Sequence, residues 1–316
     1  FLENHEPDIS YVESAVEAII PIISVGDLII IESTSPVGTT EKMKDLIYSK
    51  RNELKEKIFI AYCPERVLPG NIFYELENND RVIGGINAES TERAVIFYSK
   101  YINGNLHKTN SKTAEMCKLV ENSSRDVQIA FANELSMVCD KAGINVWELI
   151  KLANKHPRVN ILNPGSGVGG HCIAVDPYFI ISDFSKQSKL ISKARSVNNY
   201  KPDWCIDKIK KSIENFKNTH SRIPNVSIMG LTFKPNIDDI RESPSLYICR
   251  RLNENSEYNL RFVEPNVNEV KKLKISKLDN SVLESDIIVF LVAHDEFKNL
   301  KLDKSKVVID FCGVTN

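Results

Sequence analysis

The stretch of the sequence best suited to chemistry is a run of small residues around one cysteine. NPGSGVGGHCIAVDPYFI covers residues 163–180, with Gly165, Gly167 and Gly170 in the spacing of a dinucleotide-binding loop and Cys172 directly behind them. Such a loop indicates a dinucleotide site when it follows a strand and opens a helix. Here an Asn-Pro pair precedes the glycines and His-Cys-Ile follows them. We therefore expect the glycines to bring backbone close to a group beside Cys172, and to leave amides facing an anion or oxyanion.

Cys172 itself allows two interpretations. A free cysteine is usually a small buried apolar residue, and taken alone Cys172 fits that description best. Its neighbours favour chemistry, because His171 and Asp176 place acid-base groups close to the thiol in the sequence. Catalysis by cysteine needs a thiolate and groups that move protons. The surroundings therefore predict that Cys172 is a nucleophile.

A second set of polar residues lies on a long predicted helix. Lys118, Asn122 and Arg125 are spaced i, i+4 and i+7, so they share one face. Two cations and an amide on one face suit an anionic substrate. A solvated helix face is the commoner explanation for such charges, and the motifs around these residues decide against it below.

The elements that must position these residues alternate between strands and helices at both ends of the chain. Apolar runs at residues 28–31, 58–63 and 81–86 predict strands of a parallel sheet, after a helix over residues 10–25. Residues 113–142 predict one long helix ending at Gly143, followed by helices over 146–154 and 185–217. Strand and helix patterns resume at Val226, with strands in VSIMG, LRFVEP, DIIVFLVAH and KVVIDF and a helix in SPSLYICRRL.

Composition excludes several classes of protein. The net charge of −1 gives no broad basic surface for nucleic acid, and no apolar stretch is long enough to span a bilayer. The seven cysteines form no CxxC pair, which indicates reduced thiols in a cytoplasmic protein. No Cys/His cluster has the spacing of metal ligands, so no metal is expected. The six cysteines other than Cys172 are expected to pack as small apolar groups, and His5, His107, His220 and His294 show no partner pattern.

Five motifs in order resemble the UDP-glucose/GDP-mannose dehydrogenase superfamily. ESTSPVGTTE is similar to the family's STxPVG loop, CPERVLPG to its PE loop and KLVENSSRDVQIAFANEL to its Lys/Asn helix. GSGVGGHCIAVDP resembles its catalytic-cysteine signature, and GLTFKPNIDDIRESPS its C-terminal nucleotide-binding signature. Members are NAD-dependent enzymes that oxidise the C6 alcohol of a nucleotide sugar to a carboxylate, with transfer of four electrons. The resemblance therefore implies an enzyme with NAD as cofactor and a UDP-sugar as substrate.

Finer detail points to one branch of the family. The UDP-glucose branch usually carries a second Glu in the PE loop where this sequence has Pro69. PERVLPGN, HPRVNILNPG and GGHCIAVDPYFI are most similar to the branch acting on UDP-N-acetyl-D-mannosamine, whose product enters polysaccharide biosynthesis. The same chemistry on UDP-N-acetylglucosamine or UDP-glucose remains the alternative.

The resemblance also implies roles for individual residues. Cys172 would form a thiohemiacetal and then a thioester, Lys118 would move a proton and stabilise an oxyanion, and Asn122 would help to hold that oxyanion. Asp176 would support Lys118 or the hydrolytic water, and Glu65 would orient that water. The expected substrate contacts are Arg66, Val67, Lys118, Asn122, Arg125, His156, Arg158, Gly169, Phe233 and Lys234.

Two cofactor contacts follow in the same way, Thr34 and Arg241. A local pair of Arg241 with Asp238 or Glu242 is the simpler explanation for that side chain. Glu65 next to Arg66 likewise fits an ordinary loop pair. Because the family forms dimers through its central helices, a homodimer is expected, with Arg158 reaching into a neighbouring subunit.

The predicted fold is α/β in three parts. A partial Rossmann-like NAD-binding domain occupies residues 1–108, a central helical dimerisation domain 109–218, and a C-terminal Rossmann-like UDP-binding domain 219–316. The family's N-terminal glycine loop is not in the sequence, so the chain is expected to begin partway through the cofactor domain.

Other functions remain open from sequence alone. A two-electron dehydrogenase or an epimerase with a similar cofactor domain would need no cysteine. A truncated chain that binds nucleotide sugars, or dimerises, without turnover belongs to a different class, which the absent glycine loop favours. A zinc alcohol-dehydrogenase mechanism is disfavoured by the lack of ligand spacing.

Overall fold

The computed structural model describes residues 7–67 and 71–315, in two compact units. The first unit is the chain up to Ser123 together with Asp176–Lys189, and the second is Ser124–Val175 together with the chain from Leu190 onward. In the described ranges, no helix has both the length and the apolar character to cross a bilayer.

The first unit is built from two strand–helix–strand segments. Its elements are α1 (Ser10–Ile19), β1 (Leu28–Ile31), α2 (Thr39–Lys50), β2 (Phe59–Tyr62), α3 (Ile72–Asn78), β3 (Arg81–Gly85), α4 (Ala88–Tyr98) and β4 (Leu106–Asn110). The strands lie in the order β1-β2-β3-β4. Pairing is parallel between β1 and β2 and between β3 and β4.

The prediction of a fully parallel sheet is wrong at the centre of this unit. Strands β2 and β3 pair antiparallel, and only through Ala61 with Gly85 and Tyr62 with Gly84. The connecting helix α3 has no buried residue, so it does not pack on the sheet as a crossover helix does. The two segments therefore overlap at the carboxyl ends of β2 and β3. This overlap brings the loop after β1 and the helix after β4 to neighbouring positions.

The long helix predicted after β4 is present as α5 (Ser111–Ala142), with 32 residues. It begins where the Asn110 side chain accepts a hydrogen bond from the Thr113 amide at 2.9 Å. It ends at Gly143, whose φ of +71° is the left-handed conformation that commonly terminates helices. Residues up to Ser123 belong to the first unit and the remainder to the second.

The remaining elements complete both units. The second unit contains α6 (Val146–Ala153), most of α8 (Lys189–His220), β5 (Asn225–Met229), α9 (Pro244–Asn253), β6 (Asn259–Val263), α10 (Leu278–Glu284), β7 (Ile287–Phe290) and β8 (Val307–Asp310). Helix α7 (Pro177–Asp183) belongs to the first unit. The second sheet has the order β6-β5-β7-β8 and is parallel throughout, as its sequence predicts. All four residues of β7 are buried, as expected for a parallel strand covered on both faces.

Candidate active site

The glycine loop around Cys172 packs against protein. No strand leads into it: residues 155–170 are turns and irregular chain. A Cβ atom on Gly170 would lie 2.9 Å from the Phe233 ring, and one on Gly169 would lie 2.4 Å from the Glu242 carbonyl oxygen. Gly167 and Gly170 also have φ of +147° and +83°, which favour glycine. The group that these glycines approach is therefore Phe233 and its surroundings.

Exposure separates Cys172 from the other cysteines. Cys172 is an exposed residue, whereas Cys63, Cys139, Cys205 and Cys249 are buried and Cys117 and Cys312 are half-buried. Burial raises the pKa of Cys63 to about 11 and that of Cys205 to about 12, which keeps both as thiols at neutral pH. A nucleophile must be accessible and able to ionise. Cys172 meets the first of these requirements, and the buried cysteines do not.

Lys118, Asn122 and Asp176 come together in the first unit. The Asn122 amide donates a hydrogen bond to the buried Asp176 carboxylate, with 2.5 Å between Nδ2 and Oδ2. Burial raises the pKa of Asp176 to about 6, opposed by that hydrogen bond and by the charge of Lys118. Asp176 directly precedes α7, and Lys118 and Asn122 are one turn apart on α5. Three of the predicted catalytic residues thus form one cluster with a carboxyl group that titrates near neutrality.

Arg125 has a different environment, in the second unit. It lines a cavity of about 490 Å³, together with Gly165, Gly167, Phe233 and the apolar side chains of Ile129, Ile161 and Leu162. That volume is in the range of small-molecule sites. The cavity brings together the predicted substrate contacts Arg125 and Phe233, which are more than 100 residues apart in the sequence.

The PE loop folds back on itself. Glu65 accepts hydrogen bonds from the amides of Arg66 and Val67 at 2.7 and 2.8 Å, and its other oxygen lies 3.5 Å from the buried Arg81 guanidinium. Arg66 forms a 2.8 Å ion pair with Glu121 on α5. The ordinary loop interaction between Glu65 and Arg66 is therefore present, through the backbone. Pro69, which separates the branches of the family, lies outside the described residues.

Glu115 organises the loop that carries Thr34. This buried carboxylate accepts hydrogen bonds from the amides of Gly38 and Thr40 at 2.5 and 2.7 Å, and from the Thr40 hydroxyl at 2.6 Å. It thereby caps the start of α2. Thr34 lies half-buried in the same loop. Sequence reasoning missed Glu115, although its position one turn before Lys118, on the same helix face, was a usable signal.

A second buried carboxylate organises the loop after β5, which carries Phe233 and Lys234. Glu264 accepts hydrogen bonds from the amides of Leu231 and Thr232 at 2.7 and 3.2 Å. His294 Nε2 lies 3.2 Å from the same carboxylate, and His294 Nδ1 accepts a hydrogen bond from the Asn236 amide at 3.0 Å. The interpretation of His294 as a residue without partners is wrong, because it is fully buried in this network.

The remaining predicted residues lie at the surface. His156 and Arg158 are exposed after α6, in a loop that Asn154 closes through both backbone groups of Ile161 at 2.7 and 2.9 Å. Arg241 is exposed and pairs with Asp239 at 2.7 Å, so the local pair is present but Asp238 and Glu242 were the wrong partners. His107 also has a partner, Asp80, at 2.9 Å.

The residues at the carboxyl end of β1 fit part of a nicotinamide cofactor. The loop there offers the Thr34 hydroxyl, which suits a ribose or an amide. The amides of Gly38 and Thr40 at the start of α2, which would suit a phosphate, already bind Glu115. Over residues 7–67 and 71–315, no three His, Cys, Asp or Glu side chains are grouped to hold a metal ion.

Three models of one protein family match most of the chain. Models of the UDP-glucose/GDP-mannose dehydrogenase family match residues 1–102 (NAD binding domain), 112–200 (central domain) and 227–316 (UDP binding domain). The chain belongs to this family. It is an oxidoreductase that acts on nucleotide sugars with a nicotinamide cofactor.

Individual relatives are similar along most of their length. UDP-N-acetyl-D-mannosamine dehydrogenase of Salmonella typhimurium is 48% identical, over 99% of this chain and 79% of the relative. NDP-N-acetyl-D-galactosaminuronic acid dehydrogenase of Ralstonia nicotianae is 45% identical, over 99% of this chain and 76% of the relative. The solved structure of UDP-D-ManNAc dehydrogenase from Pyrococcus horikoshii superposes with a TM-score of 0.87 at 35% identity, covering 100% of this chain and 76% of that one.

Proposed function

We propose that the protein oxidises UDP-N-acetyl-D-mannosamine at C6 to UDP-N-acetyl-D-mannosaminuronate, with transfer of four electrons to NAD. The observation that supports the four-electron chemistry is the exposure of Cys172 in a loop where Gly167, Gly169 and Gly170 pack closely against protein. The 48% identity to UDP-N-acetyl-D-mannosamine dehydrogenase of Salmonella typhimurium supports the choice of sugar.

The first half of the proposed reaction turns the C6 alcohol into an aldehyde. The bound cofactor accepts one hydride in each of the two oxidations. Lys118 takes the hydroxyl proton, and Asn122 donates a hydrogen bond to the developing oxyanion. The negative charge of Asp176 stabilises the resulting lysine cation. The Cys172 thiolate then adds to the aldehyde carbon and forms a thiohemiacetal, with the proton of Lys118 moving to its oxygen.

The second half ends in hydrolysis. Loss of the second hydride and of the hydroxyl proton turns the thiohemiacetal into a thioester. Water adds to the thioester carbonyl, and the carbon–sulfur bond breaks to release the carboxylate and the Cys172 thiolate. Asp176, with a pKa of about 6, is suited to accept a proton from that water. We assign Glu65 to orienting the water, a role that requires it to exchange some of its bonds to Arg66 and Val67.

The proposed substrate contacts supply the charges that a UDP group needs. Arg125 lines the cavity with Phe233, and Arg66, Arg158 and Lys234 add cations for the diphosphate. His156, Val67 and the Gly169 backbone complete the set. Thr34 and Arg241 are the proposed cofactor contacts.

The organisation of the chain is part of the proposal. We assign residues 1–108 to cofactor binding, 109–218 to the central helical domain and 219–316 to binding of UDP. A homodimer through the central domain is supported by two large apolar side chains exposed on α5, Phe131 and Val138, with 57% and 58% exposure. Arg158 then reaches into the neighbouring subunit, and a cytoplasmic location suits an enzyme with an exposed reduced thiol.

Other sugars are the main alternative. The Ralstonia nicotianae relative is named for an N-acetyl-D-galactosaminuronic acid, so the configuration of the hexosamine is the part of the proposal to test hardest. UDP-N-acetylglucosamine and UDP-glucose are further candidates, and a chain that binds the nucleotide sugar without turnover is the candidate from another class.

The decisive experiment counts NADH formed per sugar consumed by the purified protein. UDP-N-acetylmannosamine is compared with UDP-N-acetylgalactosamine, UDP-N-acetylglucosamine and UDP-glucose, with NAD and NADP as alternative acceptors. Two NADH per sugar, with the manno compound fastest, is the expected result. Cys172→Ser should stop uronate formation, with Cys117→Ser as the matched control. One NADH per sugar, or normal uronate yield from Cys172→Ser, contradicts the thioester scheme.

A further inference from the structure

The start of α2 lacks a cap of its own. The residue before the helix is Gly38, with a φ of +94° and no side chain to accept a hydrogen bond from the first turn. Serine, threonine, aspartate or asparagine normally fills this position. Thr39 does not substitute for it, because its hydroxyl donates to the Pro36 carbonyl oxygen at 2.8 Å. The amides at the start of α2 therefore depend on an acceptor from elsewhere in the chain.

Glu115 supplies that acceptor from α5, 77 residues after Gly38. One of its oxygens binds the Gly38 amide, and the other binds both the amide and the hydroxyl of Thr40. The side chain is 0% exposed, and the part of the chain described here offers it no lysine or arginine partner. The partial positive charge at the helix start compensates part of its charge. Burial of a charged carboxylate without a cation beside it costs free energy, and a helix cap alone does not require such a residue.

The same carboxylate is tied to the catalytic cluster. Glu115, Lys118 and Asn122 are at i, i+3 and i+7 of α5, so they lie along one face. Tyr62, at the end of β2, links Glu115 to Asp176, because burial and then the charges of both carboxylates raise the pKa of its hydroxyl. Glu115 thus contacts the Thr34 loop on one side and belongs to the face that carries Lys118 on the other.

We propose that Glu115 is a positioning residue, which holds the Thr34–Thr40 loop against the face of α5 that carries Lys118 and Asn122. It fixes where the cofactor's reacting end lies relative to the proton-transferring group. The inference rests on the proposed function of the site, and adds a residue that acts through other residues and touches neither substrate nor cofactor.

The test compares four variants of the full chain, one of which is Glu115→Asp. Glu115→Gln loses one acceptor and places an NH₂ group against an amide, Thr40→Val loses the hydroxyl donor alone, and Glu89→Gln changes an exposed carboxylate in the first turn of α4 as a matched control. The readouts are NADH affinity by fluorescence titration, hydrogen exchange of residues 34–40, and KM and kcat for both substrates.

If Glu115 is a positioning residue, its substitution should weaken binding of the cofactor more than binding of the sugar. Glu115→Gln should weaken NADH binding about 5- to 30-fold and accelerate exchange of the Gly38 and Thr40 amides, with the KM for the sugar changed less than about twofold. Thr40→Val should give a smaller change in the same direction, and Glu115→Asp should recover part of the loss. Glu89→Gln should match the parent protein in every readout.

Two results would overturn the proposal. Unchanged NADH affinity in Glu115→Gln and Thr40→Val, with a lower unfolding midpoint, would leave Glu115 as a structural cap alone. Equal losses for NADH and sugar would do the same. Failure of the proposed function is recognised separately, because it appears in the parent protein as one NADH per sugar or none, whereas NADH affinity and exchange are measured without turnover.

Discussion

Two loops of the molecule are each held by a buried glutamate, and the pKa values of the two glutamates are shifted in opposite directions. In the first unit, Glu115 collects the amides of Gly38 and Thr40. In the second unit, Glu264 collects those of Leu231 and Thr232. Each carboxylate is buried, and each holds a loop that follows a strand and carries proposed ligand contacts. The two environments differ in their further donors: His294 and the Asn266 amide lie against Glu264, and the Thr40 hydroxyl lies against Glu115.

That difference sets the response of each carboxylate to acid. Burial raises the pKa of Glu115 despite the hydrogen bonds from Thr40 and Gly38. Burial acts in the same direction on Glu264, but hydrogen bonds from His294, Leu231 and Asn266 outweigh it, and the net pKa is lowered. His294 Nδ1 accepts a hydrogen bond from the Asn236 amide, which leaves Nε2 to face the Glu264 carboxylate. The additional donors around Glu264 thus reverse the sign of the shift.

The largest expected effect extends the comparison to Asp176, the other buried carboxyl group of the first unit with a raised pKa. Asp176→Asn should lower kcat about 100- to 1,000-fold, because the charge that stabilises the Lys118 cation is lost. In the parent protein, kcat/KM should fall as the pH is lowered through about 6, where Asp176 becomes neutral. The measurement is a pH–rate profile of both proteins.

The control for this profile is Asp183→Asn, on the exposed end of α7. It should keep both the rate and the acid limb of the parent. If the limb near pH 6 persists in Asp176→Asn, another group produces it and the assignment of Asp176 is wrong.

The second prediction concerns His294, which lies beside Glu264 and has no counterpart beside Glu115 among the described residues. His294→Leu removes the donor to Glu264 and leaves the Asn236 amide without its acceptor. We expect a loss of about 2–4 kcal/mol in the free energy of unfolding, since a hydrogen bond to a charged group is lost and a polar group is left unpaired. Urea denaturation measures it, with His107→Leu, at an exposed pair, as the control. A loss below about 1 kcal/mol would show that the network around Glu264 holds the loop without the imidazole.

The third prediction concerns the sign of a pH dependence. Because the pKa of Glu115 is raised in the folded state, this carboxyl group stabilises the fold at pH values below its unfolded pKa, near 4.5. The stabilisation is lost as the pH rises through the folded pKa. The cost of Glu115→Gln should therefore decrease from pH 4 to pH 7. The pKa of Glu264 is lowered, so this group stabilises the fold above pH 4.5 and the stabilisation is lost on acidification. The loss of unfolding free energy in Glu264→Gln should therefore increase over the same interval.

Changes in opposite directions are expected, and urea denaturation of both variants at the two pH values measures them. Slopes of the same sign would mean that the imidazole does not distinguish the two carboxylates.

The smallest effect is expected at the surface. Arg241 and Asp239 form an exposed pair, which lowers the pKa of Asp239 to about 2 through the hydrogen bond from the guanidinium. Arg241→Gln should leave the thermal unfolding midpoint unchanged, because solvent screens such pairs. A severalfold loss of NADH affinity is expected if Arg241 contacts the cofactor, and the exposed Arg251→Gln is the control. Unchanged affinity would remove Arg241 from the proposed site.

Sequence alone predicted what depends on local periodicity and on motif identity. The long helix over 113–142 and the strands of the second sheet follow from spacing, and the family follows from the motifs. The antiparallel pairing of β2 with β3 did not, because it depends on whether α3 packs on the sheet. Glu115 and His294 were missed because their partners lie between 28 and 77 residues away, in loops whose conformation no local pattern specifies.

The close approach of Gly170 to Phe233 constrains how this protein can diverge. Any side chain at position 170 meets both a strained backbone and the Phe233 ring, which also lines the cavity with Arg125. A smaller residue at 233 would relieve the contact and reshape the cavity at the same time. Substitution in the cysteine loop is thereby coupled to the shape of this cavity, so we expect the two positions to change together.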